Sequence, residues 1–533
     1  MKDIFYSYVS TRACYDPAKT IMVCPPSDRA GSMEEAAEFA ESSGWKALCE
    51  YDGAVLLIPV VPEGYGACDR ELLCRLYEDY RGSHASQNGK SLYGREGYLW
   101  CWETLIYAVG YGDGAIYAGN CAAAHPSHFA ALALVDGVPD DYSAWDELTD
   151  HWLVKNVSEG YDKKNRDVAQ AVWLIGCTEA DTSEAEKRYE EALSRDPATR
   201  ELDHGLFLRL SREKRAYDMT LVHDILRSFF DRIIRWKNGP DGRLTLHLTR
   251  EEMYTSGKYV WGSVCEGALD YPYAIHLPKG MDRAAVKGLP LVISMHGRGE
   301  PAWLFADKNG WDRLADETRE FVYCSPDSPG NIWQLRRDGI ALRHMIEKIC
   351  DEYELDRERV YLSGFSNGAA FTREAGSFMP EMFAALSPWN GPVRVGGIIG
   401  MEAFSEGFAE SGYEMPYWMY LGDNDPVTNA LDLKLELGTI LSLDGCEIHE
   451  DGQGGLVPDE IWTGEGHYTE TAGYAEGDRF RTSLYKRKDG TVMAGMTVMK
   501  DMPHGAIMEQ SRAAWEFMKH FRRPGNGKKI EII

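Results

Sequence analysis

Gly364-Phe365-Ser366-Asn367-Gly368 has the pattern G-x-S-x-G, between the strand-like run Val360-Tyr361-Leu362-Ser363 and Ala369-Ala370-Phe371, which opens a helical pattern. A serine at such a strand-to-helix turn is exposed on a sharp bend, and the residues two before and two after it must be small for neighbouring backbone to pass. Gly364 and Gly368 meet that need. Ser366 also falls at a helix N-terminus, whose dipole favours the negative charge that builds up during attack on a carbonyl. The chemistry predicted is acyl transfer with Ser366 as nucleophile.

A serine hydroxyl needs a base to attack at neutral pH. Where the nucleophile sits on such a turn, the chain order is serine, acid, histidine. His504, in Met502-Pro503-His504-Gly505 ahead of the closing helix, is the expected base. His467 and His449, in and beside the Gly-rich acidic stretch from Asp451 to Gly473, rank behind it, and His520 is expected to be structural. Asp425, in Gly422-Asp423-Asn424-Asp425-Pro426-Val427, is the expected acid, with Asp423 the near alternative. Asp and Asn favour turns in any case, so composition does not decide between them.

A tetrahedral intermediate requires two N–H donors aimed at its oxyanion, each worth about 10²–10³ in rate. One is expected from the backbone of Asn367. The other is expected after His296-Gly297, from Arg298 or else Gly299. Trp389, Trp333 and Trp303 are candidate walls of an acyl or alcohol pocket, since aromatic walls suit a hydroxycinnamoyl group. Plain core packing is the competing reading for each.

These side chains need a scaffold. From about residue 270, short apolar runs alternate with helical patterns, which predicts an α/β fold, a mainly parallel sheet covered by helices on both faces. Strands are expected at Tyr271 to Leu277, Leu289 to Met295, Phe321 to Cys324, Val360 to Ser363 and Tyr417 to Leu421. Helical spacing of Leu342, Met345, Ile346, Ile349 and Tyr353 predicts a helix over Ala341 to Tyr353. Asp489-Gly490 predicts a hairpin between Arg479 to Lys486 and Thr491 to Met499, and Gln510 to Phe521 reads as an amphipathic helix. The insertion at 445–478 is a candidate lid.

The segments Leu291-Val292-Ile293-Ser294-Met295-His296-Gly297, Asp356 to Gly368 and Met502-Pro503-His504-Gly505 resemble the polyhydroxybutyrate-depolymerase-like and feruloyl-esterase-like branch of the α/β-hydrolases, over about residues 243–523. The resemblance implies carboxylic ester hydrolysis through an acyl-enzyme, with no metal or cofactor. Arg298-Gly299-Glu300 and Ala369 depart from the family pattern, which leaves the acyl pocket open.

Lys237-Asn238-Gly239-Pro240-Asp241-Gly242 is the expected linker, dividing the chain into 1–238 and a catalytic 243–533. The first half repeats the order of motifs. Val23-Cys24-Pro25-Pro26, Gly119-Asn120-Cys121, Ile175-Gly176-Cys177-Thr178-Glu179 and Leu221-Val222-His223 stand in for their counterparts, and 58 residues separate Cys121 from Glu179 against 59 between Ser366 and Asp425. Two tandem hydrolase-like domains are therefore expected. The first would carry a degenerate Cys121, Glu179, His223 site, silent because Pro26, where Arg298 falls in the second, has no N–H to donate. Its expected roles are to cover the active domain, hold substrate or make a homo-oligomer contact.

A net charge of −27 argues against nucleic acid and anionic membrane surfaces as partners. No run reaches the roughly 18–20 apolar residues of a membrane span, and the start lacks a signal-peptide core, so a cytoplasmic location is expected. The 12 Cys show neither a C-x-x-C pair nor a Cys/His cluster at zinc spacing, so no metal is expected. The sequence reading is a serine esterase for small or carbohydrate-linked acyl esters. A prolyl-oligopeptidase-like peptidase and a non-catalytic hydrolase-fold binding protein are the alternatives.

Overall fold

The computed structural model describes residues 4–12, 17–87, 101–151, 154, 156–391, 401–427, 433–463 and 479–533. They fall into two compact units that divide between Thr249 and Arg250.

In the first unit seven strands form one sheet: β1 (Phe5–Val9), β2 (Ala18–Cys24), β3 (Val55–Pro59), β4 (Cys101–Tyr111), β5 (Ala131–Val135), β6 (Ala171–Ile175) and β7 (Leu208–Ser211). Their order is β1-β3-β2-β4-β5-β6-β7. Only β1 runs antiparallel to its neighbour. Central strands such as β5, Ala131-Leu132-Ala133-Leu134-Val135, are buried throughout, as a parallel sheet with both faces covered requires.

The expected linker is not one. Lys237 to Gly242 is the turn of an antiparallel hairpin between β8 (Ile233–Trp236) and β9 (Arg243–Leu246). Asn238 and Asp241 are buried, and the Asp241 carboxylate accepts from Tyr161 Oη at 2.7 Å and Lys163 Nζ at 2.6 Å. Gly, Pro, Asn and Asp mark a tight turn as readily as a flexible join, and composition alone does not separate the two.

The second unit opens with β10 (Val260–Glu266), β11 (Leu269–His276), β12 (Leu291–Met295) and β13 (Val322–Pro326). It continues through β14 (Val360–Phe365), β15 (Ala385–Trp389) and β16 (Tyr417–Gly422). After the two-residue strands β17 (His449–Glu450) and β18 (Leu456–Val457) come β19 (Glu460–Trp462), β20 (Phe480–Lys486) and β21 (Val492–Met499). The main sheet has the order β10-β11-β13-β12-β14-β15-β16-β21-β20-β19. Its central run from β13 to β21 is parallel, while β10, β11, β20 and β19 are antiparallel to their neighbours.

All five expected strands form, within a few residues of their predicted ends, and so does the hairpin about Asp489-Gly490. The expected helix begins earlier, at Leu335, because the Asp338 carboxylate accepts the Gln334 N–H at 2.7 Å and so holds its first turn. Of the candidate lid, the described part forms the small β17–β18 hairpin and the edge strand β19; residues 464–478, with His467, lie outside the described residues. Among the described residues no helix is long and apolar enough to cross a membrane.

Candidate active site

β14 runs directly into the helix Asn367–Phe378, and Ser366 is the residue between them, at φ 54° and ψ −115°. A non-glycine residue at positive φ costs on the order of 1–3 kcal/mol and persists only where its surroundings hold it. Here the Ser366 N–H donates to the Trp389 carbonyl at 3.0 Å, and the Ser366 carbonyl accepts from Ala370 N–H at 3.1 Å. A Cβ on Gly364 would lie 2.4 Å from the Gly368 carbonyl oxygen, and one on Gly368 would lie 2.3 Å from that of Met295. Both glycines are therefore steric necessities of the turn.

The loops after β16 and β21 bring the other two groups to this serine. His504 Nε2 lies 2.9 Å from Ser366 Oγ, and His504 Nδ1 lies 2.9 Å from Asp425 Oδ2. Asp425 is fully buried, and its other oxygen accepts the Val427 N–H at 2.8 Å. That second bond fixes the carboxylate plane. Asp423 is exposed, and burial of part of its carboxyl together with the Asp501 charge raises its pKa. Of the two candidate acids, only Asp425 is within bonding distance of His504. The Phe365 ring packs on the His504 ring with centroids 5.1 Å apart, covering one face of the imidazole. His449 is exposed on β17, and His520 is exposed beyond the last helix turn.

Asn367 is the first residue of its helix, so its N–H has no intrahelical acceptor. Its side chain accepts the Trp333 N–H at 2.7 Å, which ties the turn to the preceding loop. In the loop after β12, the Gly299 N–H donates to the Asn331 carbonyl at 2.8 Å. The Gly299 N–H is thus committed to that carbonyl.

Two of the three tryptophans considered as pocket walls are core side chains. Trp389 is fully buried, stacked on Trp311 at 5.8 Å, with its Nε1 donating to Ser387 Oγ. Trp333 is also buried, stacked on Phe371 and tilted against His296. Both rings are removed from solvent, Trp389 on a fully buried strand and Trp333 in the loop before the helix Leu335–Tyr353. Trp303 is half-buried, with the Arg250 guanidinium 5.7 Å from its ring centre.

Two buried charge pairs beside the turn were not predicted from the sequence. Lys308 Nζ lies 2.8 Å from Glu300 Oε1, with both side chains nearly inaccessible, and 4.5 Å from the Phe365 ring centre. Arg373 Nε lies 2.7 Å from Glu436 Oε1, and Arg373 Nη1 donates to the Gly391 carbonyl at 3.1 Å. The departure at Arg298-Gly299-Glu300 was the nearest hint of the first pair. Nothing pointed to the second, whose members come from two distant helices.

In the first unit the expected Cys121, Glu179 and His223 are not brought together. Cys121 is in the middle of the helix Asp113–Ala124, fully buried, and burial pushes its thiol up to about 12. Glu179 is exposed at the start of the helix Glu179–Arg195, and His223 is exposed within the helix Met219–Ser228. The strand-to-helix turn after β4 is occupied by Gly112, at φ 60° and ψ −125°, between Gly110 and Gly114. The motif match had slipped along the helix because a glycine at the bend carries no chemistry to recognise. The proline argument shifts as well. The Gly114 Cβ position abuts the Cys24 and Pro25 carbonyls as that of Gly368 abuts Met295 and His296, which places Ser27, not Pro26, at the Arg298 position. The Ser27 N–H donates to Asp113 Oδ1 at 3.0 Å.

No protein-family profile matches the chain. Among curated proteins, a bifunctional acetylxylan esterase/xylanase of Neocallimastix patriciarum is 30% identical over 143 residues, covering 26% of this chain and 20% of that protein. Poly(3-hydroxyalkanoate) depolymerase C of Paucimonas lemoignei is 27% identical over 127 residues, covering 21% of this chain and 29% of that protein. The chain thus spans less than a third of the length of either relative. The solved structure of an acetyl xylan esterase from Aspergillus awamori matches at 15% identity and a TM-score of 0.37, over 49% of this chain and 99% of that one. Feruloyl esterases are also among the structural matches. The resemblance read from the sequence holds over part of the chain, where the curated relatives are an acetylxylan esterase/xylanase and a polyester depolymerase.

Proposed function

We propose that the second unit is a serine carboxylic ester hydrolase working through an acyl-enzyme on small or carbohydrate-linked esters, with acetyl, feruloyl and hydroxyalkanoate esters as the candidate substrates. The observation that carries the reading is the continuous chain from Ser366 Oγ through His504 to buried Asp425. With the imidazole proton on Nδ1 and bonded to Asp425, Nε2 presents a lone pair to the serine hydroxyl. As Ser366 Oγ bonds to the ester carbonyl carbon, its proton passes to Nε2. The oxyanion is received by the N–H groups of Asn367 and Arg298. Collapse expels the alcohol, which takes the proton from His504, and leaves acyl-Ser366. Water then repeats the sequence with His504 as base, releasing the carboxylic acid.

Hydrolysis of p-nitrophenyl acetate, p-nitrophenyl butyrate and methyl ferulate by the intact chain and by Ser366→Ala tests this. Turnover of at least one ester, abolished by the substitution, is expected. No turnover of any, or turnover indifferent to Ser366, rejects it. The peptidase alternative is disfavoured because the additional unit is a parallel sheet rather than a ring of four-stranded blades. The non-catalytic alternative is disfavoured because nucleophile, base and acid are all retained.

The first unit is read as a tandem, non-catalytic copy of the same architecture. Its strand order and directions match β11-β13-β12-β14-β15-β16-β21 of the second. Gly112 stands where the nucleophile would be, and the Asp113 carboxylate occupies the Ser27 N–H that an oxyanion would need. Its test is that all ester turnover disappears with Ser366.

A further inference from the structure

The first unit gathers metal-ligating side chains that no sequence motif connects. One donor atom each from Cys74, His125 and His128 lies within 4.8 Å of the others. Cys74 comes from the helix Leu72–Gln87, whereas the histidines leave the end of the helix Asp113–Ala124. Asp150 reaches them from a third segment, its Oδ2 lying 3.0 Å from His125 Nδ1 and 2.6 Å from His128 Nε2.

A neutral imidazole that donates through one ring nitrogen carries a lone pair on the other. His125 Nε2 is buried and has no hydrogen-bond partner among the described residues, and a carboxylate oxygen, Glu71 Oε1, is 3.9 Å away. On the neutral ring with its proton on Nδ1, the Nε2 lone pair faces that carboxylate and lies near the Cys74 thiol. A cation in that space would satisfy all three. The bond from Asp150 to His125 Nδ1 is also the arrangement by which metal-bound histidines are oriented and made better donors, a carboxylate holding the ring nitrogen opposite the metal.

We propose that Cys74, His125 and His128 bind a divalent transition metal, Zn²⁺ by ligand type, with Asp150 holding the imidazoles and Glu71 or water completing a four-coordinate site. One thiolate and two imidazoles suit Zn²⁺ and exclude Ca²⁺ and Mg²⁺, which take oxygen ligands. Binding displaces the Cys74 proton to solvent, because a coordinating thiol is deprotonated. The metal would tie the helix Leu72–Gln87 to the exit of the next helix, far along the chain from Ser366.

The test uses the full chain stripped with a chelator and titrated with Zn²⁺ against a chromophoric competitor, and with Co²⁺ by absorption. One equivalent of Zn²⁺ is expected, with visible cobalt bands and a thiolate-to-cobalt charge-transfer band in the near ultraviolet. Cys74→Ser should lose the charge-transfer band, and His125→Gln should weaken Zn²⁺ by about 100-fold or more. Cys265→Ser, which removes an exposed thiol elsewhere, should leave the spectrum unchanged. Sub-stoichiometric Zn²⁺ binding or a cobalt spectrum without the thiolate band in the wild-type chain overturns the proposal, whether or not the variants fold. So does a spectrum unaltered by Cys74→Ser.

Discussion

Gly391 lies so close beneath Ser366 that a Cβ on it would sit 2.2 Å from the Ser366 carbonyl oxygen. The nucleophile turn is thus wedged from below by backbone, with Arg373 holding the Gly391 carbonyl from the side. Gly391→Ala should displace the turn, since backbone cannot yield as a flexible side chain does. A loss of about 1–3 kcal/mol in urea unfolding, with a larger relative loss of ester turnover, is expected. Wild-type stability and turnover in this variant would mean that the turn is not held from this side.

The Asp425 carboxylate sets the tautomer of His504. Asp425→Asn preserves shape but favours the wrong tautomer, and kcat on p-nitrophenyl acetate should fall by on the order of 10⁴. Asp423→Asn should stay near wild type, since Asp423 is not within reach of the imidazole. Reversal of that order would reassign the acid.

Arg373 and Glu436 form an ion pair with 1% and 0% side-chain exposure, and Tyr417 donates its hydroxyl to the same carboxylate oxygen. Removing one partner of a buried pair strands the other charge. Glu436→Ala should therefore destabilise the second unit by about 3–5 kcal/mol, and Arg373→Met combined with Glu436→Leu by less. Denaturant melts of the two variants give the comparison, and equal losses would argue against a stranded charge.

Glu374, in the helix behind the serine, is 5% exposed, and burial pushes its carboxyl from an ordinary value of 4.5 up to about 7. The folded chain holds this proton more tightly than the unfolded one. The resulting stability is complete below about pH 4.5 and is lost as pH rises through 7. Glu374→Gln never ionises, so it should exceed wild type by up to about 3 kcal/mol at pH 8 and match it near pH 4. Urea midpoints across that range measure the gap, which must grow with pH.

Cys121 should resist iodoacetamide in the native protein, because thiolate is the reactive form and burial pushes this thiol up to about 12. Peptide mapping after brief labelling should find Cys265, which is exposed, modified first. Early modification of Cys121 would restore it as a reactive group.

By itself the sequence determined the parallel strands of the second half, the Ser366 turn and the order of serine, acid and histidine. These are local matters: apolar runs, small residues two on either side of a bend, and a histidine just before the last helix. It left Asp425 and Asp423 unresolved, because both sit in one turn and only the path of the chain aims a carboxylate at His504. It left Trp389 and Trp333 open between pocket wall and core, since burial depends on what covers a ring and not on its neighbours in sequence. It took the turn at Lys237 to Gly242 for a linker and Cys121 for the residue at the first unit's bend, because neither pairing across strands nor a bare glycine at positive φ leaves a chemical mark. The tertiary structure alone brought Arg373 to Glu436, and Cys74 to His125 and His128. Such groups meet only when distant helices pack, and no spacing along the chain encodes that meeting.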